Sequence, residues 1–193
     1  MCKTQALADT PVILCLGDSL TAGFGVDPGA DYPALLQRRL QEHGLPHRVV
    51  NAGLSGDTTA GALRRLNWSM KTTPVIAIVV LGANDGFRGL DLTDMQQNLV
   101  QITQILQQAG AHVILGGMKI PHNYGKSYAD QFQAVYPAVA QTTGAELLPF
   151  FLEEVAGKTA LNLPDGIHPN ADGYRVVEKN LWPLLEPRLK IKP

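Results

Sequence analysis

The chain has 193 residues, 45% of them hydrophobic and 17% charged, with a formal net charge of −1. That length suits a single domain, 1–193, with one core that removes roughly 70% of the unfolded surface from water. No lysine or arginine cluster is dense enough to track a phosphate backbone, which argues against nucleic acid as a partner, and no apolar run approaches the roughly 20 residues of a membrane span.

Taken in chain order, short apolar runs alternate with amphipathic segments. Val12–Leu16 reads as a buried strand that stops at Gly17-Asp18-Ser19. "YPALLQRRLQEHG" reads as a helix with Pro33 in its first turn and Gly44 at its end. Arg48–Asn51 is the second strand, and "DTTAGALRRL" the next helix, with Asp57 as its N-cap candidate. "VIAIVVL", Val75–Leu81, is apolar on both faces, as a parallel strand covered on each side requires. "LTDMQQNLVQITQILQQAG" then sets Met95, Leu99, Ile102, Ile105 and Leu106 on one stripe. His112–Gly117 and Glu146–Leu148 are the last strands; between them, "YADQFQAVYPAVAQTTG" is a helix that Pro137 kinks or splits. "NADGYRVVEKNLWPLLEPRLK" closes the chain.

Strand and helix in alternation predict a doubly wound parallel α/β sheet in one domain. Ligands of such sheets bind outside the carboxyl ends of the strands. Asp18-Ser19, Gly53-Leu54-Ser55 and Asn84-Asp85 each follow a strand, so the topology delivers them to one edge.

The chemistry of those residues is that of an activated serine. A hydroxyl attacks a carbonyl only when a base takes its proton and donors stabilise the charge passed to the substrate. In "LPDGIHPNADGY", Asp165 precedes His168 by three residues, close enough to fix one ring nitrogen while the other faces Ser19. The N–H groups of Ser19 and Gly53 and the side-chain amide of Asn84 are the candidate oxyanion donors. Asp18 and Asp85 read as structural groups of the loops beside the site.

Gly17-Asp18-Ser19-Leu20, Gly53 in "NAGLSGDT", Asn84 in "LGANDG" and Asp165-Gly166-Ile167-His168-Pro169 resemble, in order and spacing, the four blocks of the SGNH (GDSL) hydrolase family. "MKIPHNYGKSYADQFQAVYPAVA" and "LLPFFLEEV" extend the resemblance to its bacterial thioesterase, arylesterase and lysophospholipase branch, over nearly the whole chain. The resemblance implies a three-layer α/β/α sandwich, flavodoxin-like, with a five-stranded parallel sheet. It further implies Ser19 as nucleophile, His168 as base, Asp165 as its partner, and small acyl esters or thioesters as substrates, without cofactor or metal. A monomer is expected. Ala83 departs from the glycine that relatives often carry in a loop thought to close over acyl chains, which bears on acyl-length preference and leaves the chemistry alone.

Phe24, Leu54, Phe87, Ile120, Asn123 and Tyr124 are expected to wall the substrate crevice, from their positions next to these segments. His43, His47, His112 and His122 read as surface or strand-edge residues. "GFGVDPG" lacks the spacing and following helix of a dinucleotide loop. A carbohydrate deacetylase on the same scaffold is the alternative enzyme. A receiver-like domain with Asp18 and Asp85 on a metal ion is the non-enzymatic one, and it has no use for His168. The absence of G-x-S-x-G around Ser19 argues against an α/β-hydrolase. Cys15 reads as a buried hydrophobe rather than half of a disulfide. Residues 1–10 read as a flexible tip, where Ala6-Leu7-Ala8 resembles the end of a secretory signal. The expectation is a periplasmic or secreted protein if a signal preceded it, and a cytoplasmic one if none did.

Overall fold

Two runs free of charged residues, Val12–Gly17 (β1) and Ile76–Val80 (β3), are buried along their whole length and form the centre of a five-stranded sheet. The computed structural model describes residues 10–189. Cys2 and the Ala6-Leu7-Ala8 tip lie outside them. Strands β2 (Arg48–Gly53), β4 (His112–Gly116) and β5 (Glu146–Leu148) complete the sheet in the order β2-β1-β3-β4-β5, every pair parallel.

The helices are α1 (Ser19–Ala22), α2 (Tyr32–Glu42), α3 (Thr59–Ser69), α4 (Ala83–Phe87), α5 (Leu92–Gln108), α6 (Lys126–Thr143) and α7 (Ala171–Leu185). Helix α2 packs on α7, and α3, α5 and α6 pack in a row, so the sheet lies between two helical layers. This is the doubly wound arrangement that the strand–helix alternation predicts, with the three layers and five strands that the family resemblance implies. None of the helices among the described residues is long and apolar enough to cross a membrane.

Local chemistry accounts for most boundaries. Asp31 accepts the Ala34 N–H at 3.0 Å to open α2, and Asp91 accepts those of Thr93 and Asp94 to open α5. Met95, Leu99, Ile102 and Leu106 of α5 are buried against the sheet, with Ile105 at the margin of the stripe. One expectation is corrected and another narrowed. Thr58, not Asp57, caps α3 through its hydroxyl and the Gly61 N–H, because Asp57 is drawn into an ion pair with Arg65 at 2.7 Å. Pro137 does not split α6, which continues through it, since Phe132, Val135, Tyr136 and Val139 bury one continuous face around the proline.

The register places the site. Gly17 pairs with Gly53 on one side and Val80 on the other, so β1, β2 and β3 end in one row. Strand order reverses between β1 and β3, and the segments after these two strands carry Ser19 and Asn84. The crevice at such a reversal is where ligands of open α/β sheets bind.

Candidate active site

Ser19 is the first residue of α1, a single helical turn at the end of β1. One turn cannot sustain itself, since nucleation fixes several dihedrals for one hydrogen bond, and its support comes from other elements. Asp18 Oδ1 caps it, accepting the Leu20 N–H at 3.0 Å. The Tyr32 hydroxyl of α2 meets Thr21 Oγ1 at 3.0 Å. Asn51 of β2 donates to the Thr21 carbonyl at 2.8 Å, and Tyr174 of α7 to that of Leu20 at 2.9 Å. The Ser19 N–H has no acceptor among the described residues.

His168 reaches Ser19 across 149 positions of sequence: Nε2 lies 2.9 Å from Ser19 Oγ. Its Nδ1 lies 2.7 Å from Asp165 Oδ2. An ionised carboxylate has no proton to give, so Nδ1–H donates to Asp165 and the Nε2 lone pair faces the serine hydroxyl. Asp165 Oδ1 accepts the N–H groups of Ile167 and His168 at 2.9 and 3.0 Å, folding the three-residue spacing into a tight loop. Burial raises the Asp165 pKa, but those two N–H groups and the His168 ring outweigh it and bring the carboxyl down to about 2.

Asn84, in α4, sends its amide nitrogen to the same edge and donates to Asp18 Oδ2 at 3.2 Å and to the Asp57 carbonyl at 3.0 Å. Desolvation pushes the Asp18 carboxyl up to about 6, partly offset by the bonds from Leu20 and Asn84 and by His168. Asp85 is turned away from the serine and accepts the Thr59 N–H and hydroxyl at the start of α3. These partners hold Asp18 and Asp85 apart in separate loop-bracing roles, which removes the receiver-like reading. Among the described residues no cluster of three or more His, Cys, Asp or Glu could hold a metal ion.

The structure corrects Gly53. Its N–H already donates to Asn51 Oδ1 at 2.9 Å and is not open to a substrate oxygen. A Cβ on Gly53 would stand 2.2 Å from the Ala22 nitrogen, so the glycine exists to let α1 lie against β2. The turn that follows, closed by the Asp57 N–H on the Leu54 carbonyl at 3.0 Å, carries Gly56 at φ +79°. The Gly56 N–H has no acceptor among the described residues, and the turn touches Asn84 through the Asp57 carbonyl. The signal for it was present in the sequence as Ser55-Gly56, a dipeptide whose glycine supplies the positive φ of a tight turn.

Beside Ser19, Asn84 and His168 opens a cavity of about 550 Å³. Phe87, Asn123 and Tyr124 line it as expected, joined by Met118, Phe150 and Leu152 from the segments after β4 and β5. Three expected wall residues do not. Ile120 is buried, packed near Gly86 under the loop. Leu54 is exposed away from the cavity, and Phe24 lies against the His168 ring with centroids 4.7 Å apart. Of the other histidines, His112 pairs with Glu146 at 2.8 Å at the start of β4, and His47, next to the edge strand β2, is buried. Cys15 is free and buried, and burial pushes its thiol up to about 12.

Residues 15–176 match the model of the GDSL-like lipase/acylhydrolase family. The chain belongs to that family. It is 43% identical to esterase TesA of Pseudomonas aeruginosa over 96% of this chain and 92% of that one. It is 42% identical to thioesterase 1/protease 1/lysophospholipase L1 of Escherichia coli over 93% and 86%. An arylesterase of Vibrio mimicus shares 38% over 89% and 86%. Among solved structures, TesA superposes with a TM-score of 0.88 at 42% identity, covering 92% of this chain and 99% of that one. Esterase EstA of Pseudoalteromonas sp., inhibited by monoethylphosphonate, gives 0.87 at 34%, covering 92% and 98%. The GDSL motif of the family is the stretch in which β1 hands over to α1, and the match extends past His168 into α7.

Proposed function

We propose that this acylhydrolase cleaves carboxylic esters, and thioesters with them, through an acyl-enzyme on Ser19. The observation that carries the reading is the unbroken line from Ser19 Oγ to His168 Nε2 at 2.9 Å and from His168 Nδ1 to Asp165 at 2.7 Å. His168 takes the hydroxyl proton as Ser19 Oγ bonds to the carbonyl carbon. Asp165 keeps the ring in the useful tautomer and steadies the imidazolium. The C–O or C–S bond then breaks and the leaving group departs with that proton. Water, activated by the same imidazole, releases the acid and restores Ser19.

We assign the oxyanion of both tetrahedral states to the Ser19 N–H, the Asn84 amide and, in place of Gly53, the N–H of Gly56, the two N–H groups having no acceptor among the described residues. As the oxygen becomes charged it competes for the Asn84 proton now held on Asp18 by the longer of the amide's two bonds. The apolar walls Phe87, Met118, Phe150 and Leu152 suit an acyl chain, and the relatives' names span thioesterase, arylesterase and lysophospholipase.

A panel of p-nitrophenyl esters of rising acyl length, with a thioester arm, tests the reading against Ser19→Ala. The variant should melt as the parent does and hydrolyse neither class above background. Hydrolysis surviving in folded Ser19→Ala would overturn it.

A further inference from the structure

We infer that Tyr174 is a positioning residue: by donating to the Leu20 carbonyl, its hydroxyl locks the turn that bears Ser19 to the segment that bears His168. The inference rests on the reading of Ser19 as nucleophile. The two reacting side chains come from opposite ends of the chain, and the 2.9 Å between them needs a fixed distance between their backbones. Of the supports of α1, Tyr32 comes from α2 and Asn51 from β2, neither of which belongs to the segment that carries His168. Tyr174 alone among the described hydrogen bonds joins α1 to α7, and α7 begins three residues after His168.

Everything between His168 and Tyr174 is rigidly tied. The His168 carbonyl accepts the Leu163 N–H at 2.8 Å. Asn170 caps α7 through the Asp172 and Gly173 N–H groups, and its own N–H and side-chain amide hold the Leu161 and Ala160 carbonyls. The path from Ser19 through Leu20, Tyr174, Asn170 and His168 back to Ser19 is therefore a closed ring of short links, with the phenol as its one joint away from the reacting atoms. Tyr174 is fully buried, and desolvation, with Asp18 and Asp31 nearby, lifts its pKa well above the ordinary tyrosine value, so the hydroxyl keeps its proton and donates at neutral pH. Without it the Leu20 carbonyl has no other described partner and the hydrogen-bonded tie from α1 to α7 is lost, which leaves the Phe24 ring against His168 as the remaining contact on that side.

Tyr174→Phe deletes one oxygen and keeps the buried ring. Because small misplacement of reacting groups is costly, kcat on a p-nitrophenyl ester should fall roughly 10- to 100-fold, with KM within about twofold of the parent. Labelling of Ser19 by a fluorophosphonate should slow by the same factor. A core variant of similar melting loss on the far side of the sheet, Leu106→Val, should keep the parent kcat and separates alignment from mere destabilisation. The deciding comparison places Tyr174→Phe in a His168→Ala background, where alignment to His168 no longer exists. There the second substitution should cost nothing further. Equal losses with and without His168, or a parental kcat in Tyr174→Phe, would overturn the inference. Ser19→Ala, run beside it, tells failure of this proposal from failure of the serine mechanism, since only the latter leaves Ser19→Ala active.

Discussion

At the scale of single residues, Asp18 and Asp165 are two carboxylates driven in opposite directions by their surroundings. The carboxyl of Asp165 is brought down to about 2, so it remains an ionised partner for His168 well into the acid range. Asp18 retains its proton up to about pH 6, against an ordinary 3.8, because burial penalises its charge. Between those values the folded chain binds more protons than the unfolded one, so this contribution to stability is full below 3.8 and disappears as pH rises through 6. Urea midpoints at pH 4.5 and 7.5 should show that decline in the parent and a flatter response in Asp18→Asn. Asn84→Ala should lower kcat by about 10²–10³ with little change in KM, the usual effect of losing one oxyanion donor. Ser19, Asn84, Asp165 and His168 were legible in the sequence because each sits in a short block whose residue types and spacing serve few purposes besides serine chemistry. Gly53 was misread because two glycines three positions apart serve different ends. Only coordinates show that the first makes room for α1 while the second leaves an N–H open.

At the scale of elements, the sheet and helices follow from pattern and caps, and the deviations have physical causes. Unbroken apolar runs located β1 and β3, and the 3.6-residue stripe located α5. Leu99→Ala, in that stripe, should cost about 2–5 kcal/mol of stability by leaving a cavity, with kcat unchanged in a urea melt paired with an assay. The passage of α6 through Pro137 was not legible, since burial on both sides of the proline outweighs its local cost. Gly53→Ala tests the contact of α1 with β2. The added methyl meets the Ala22 backbone nitrogen, so melting temperature and kcat should fall together, whereas Leu54→Ala, on an exposed neighbour, should move neither.

At the scale of the whole molecule, parallel topology gathers residues from both chain ends at one edge, and that convergence was readable before any coordinate. The walls of the cavity were only half readable. Phe87, Asn123 and Tyr124 lie beside motifs that the residue types mark out. Met118, Phe150 and Leu152 lie on irregular segments after β4 and β5, where no periodicity says which side chain turns inward. Serine chemistry asks nothing of a metal, so dialysis against a chelator should leave ester hydrolysis unchanged, and a loss restored by added metal would point to a different reaction.

The proposed mechanism depends before all else on the His168 imidazole activating the Ser19 hydroxyl. A fluorophosphonate probe followed by peptide mapping measures this directly, in the parent and in His168→Ala. The prediction is a single adduct, on Ser19, whose rate of formation collapses when the imidazole is removed. An adduct on another residue, or labelling of Ser19 at the parental rate without His168, would contradict it.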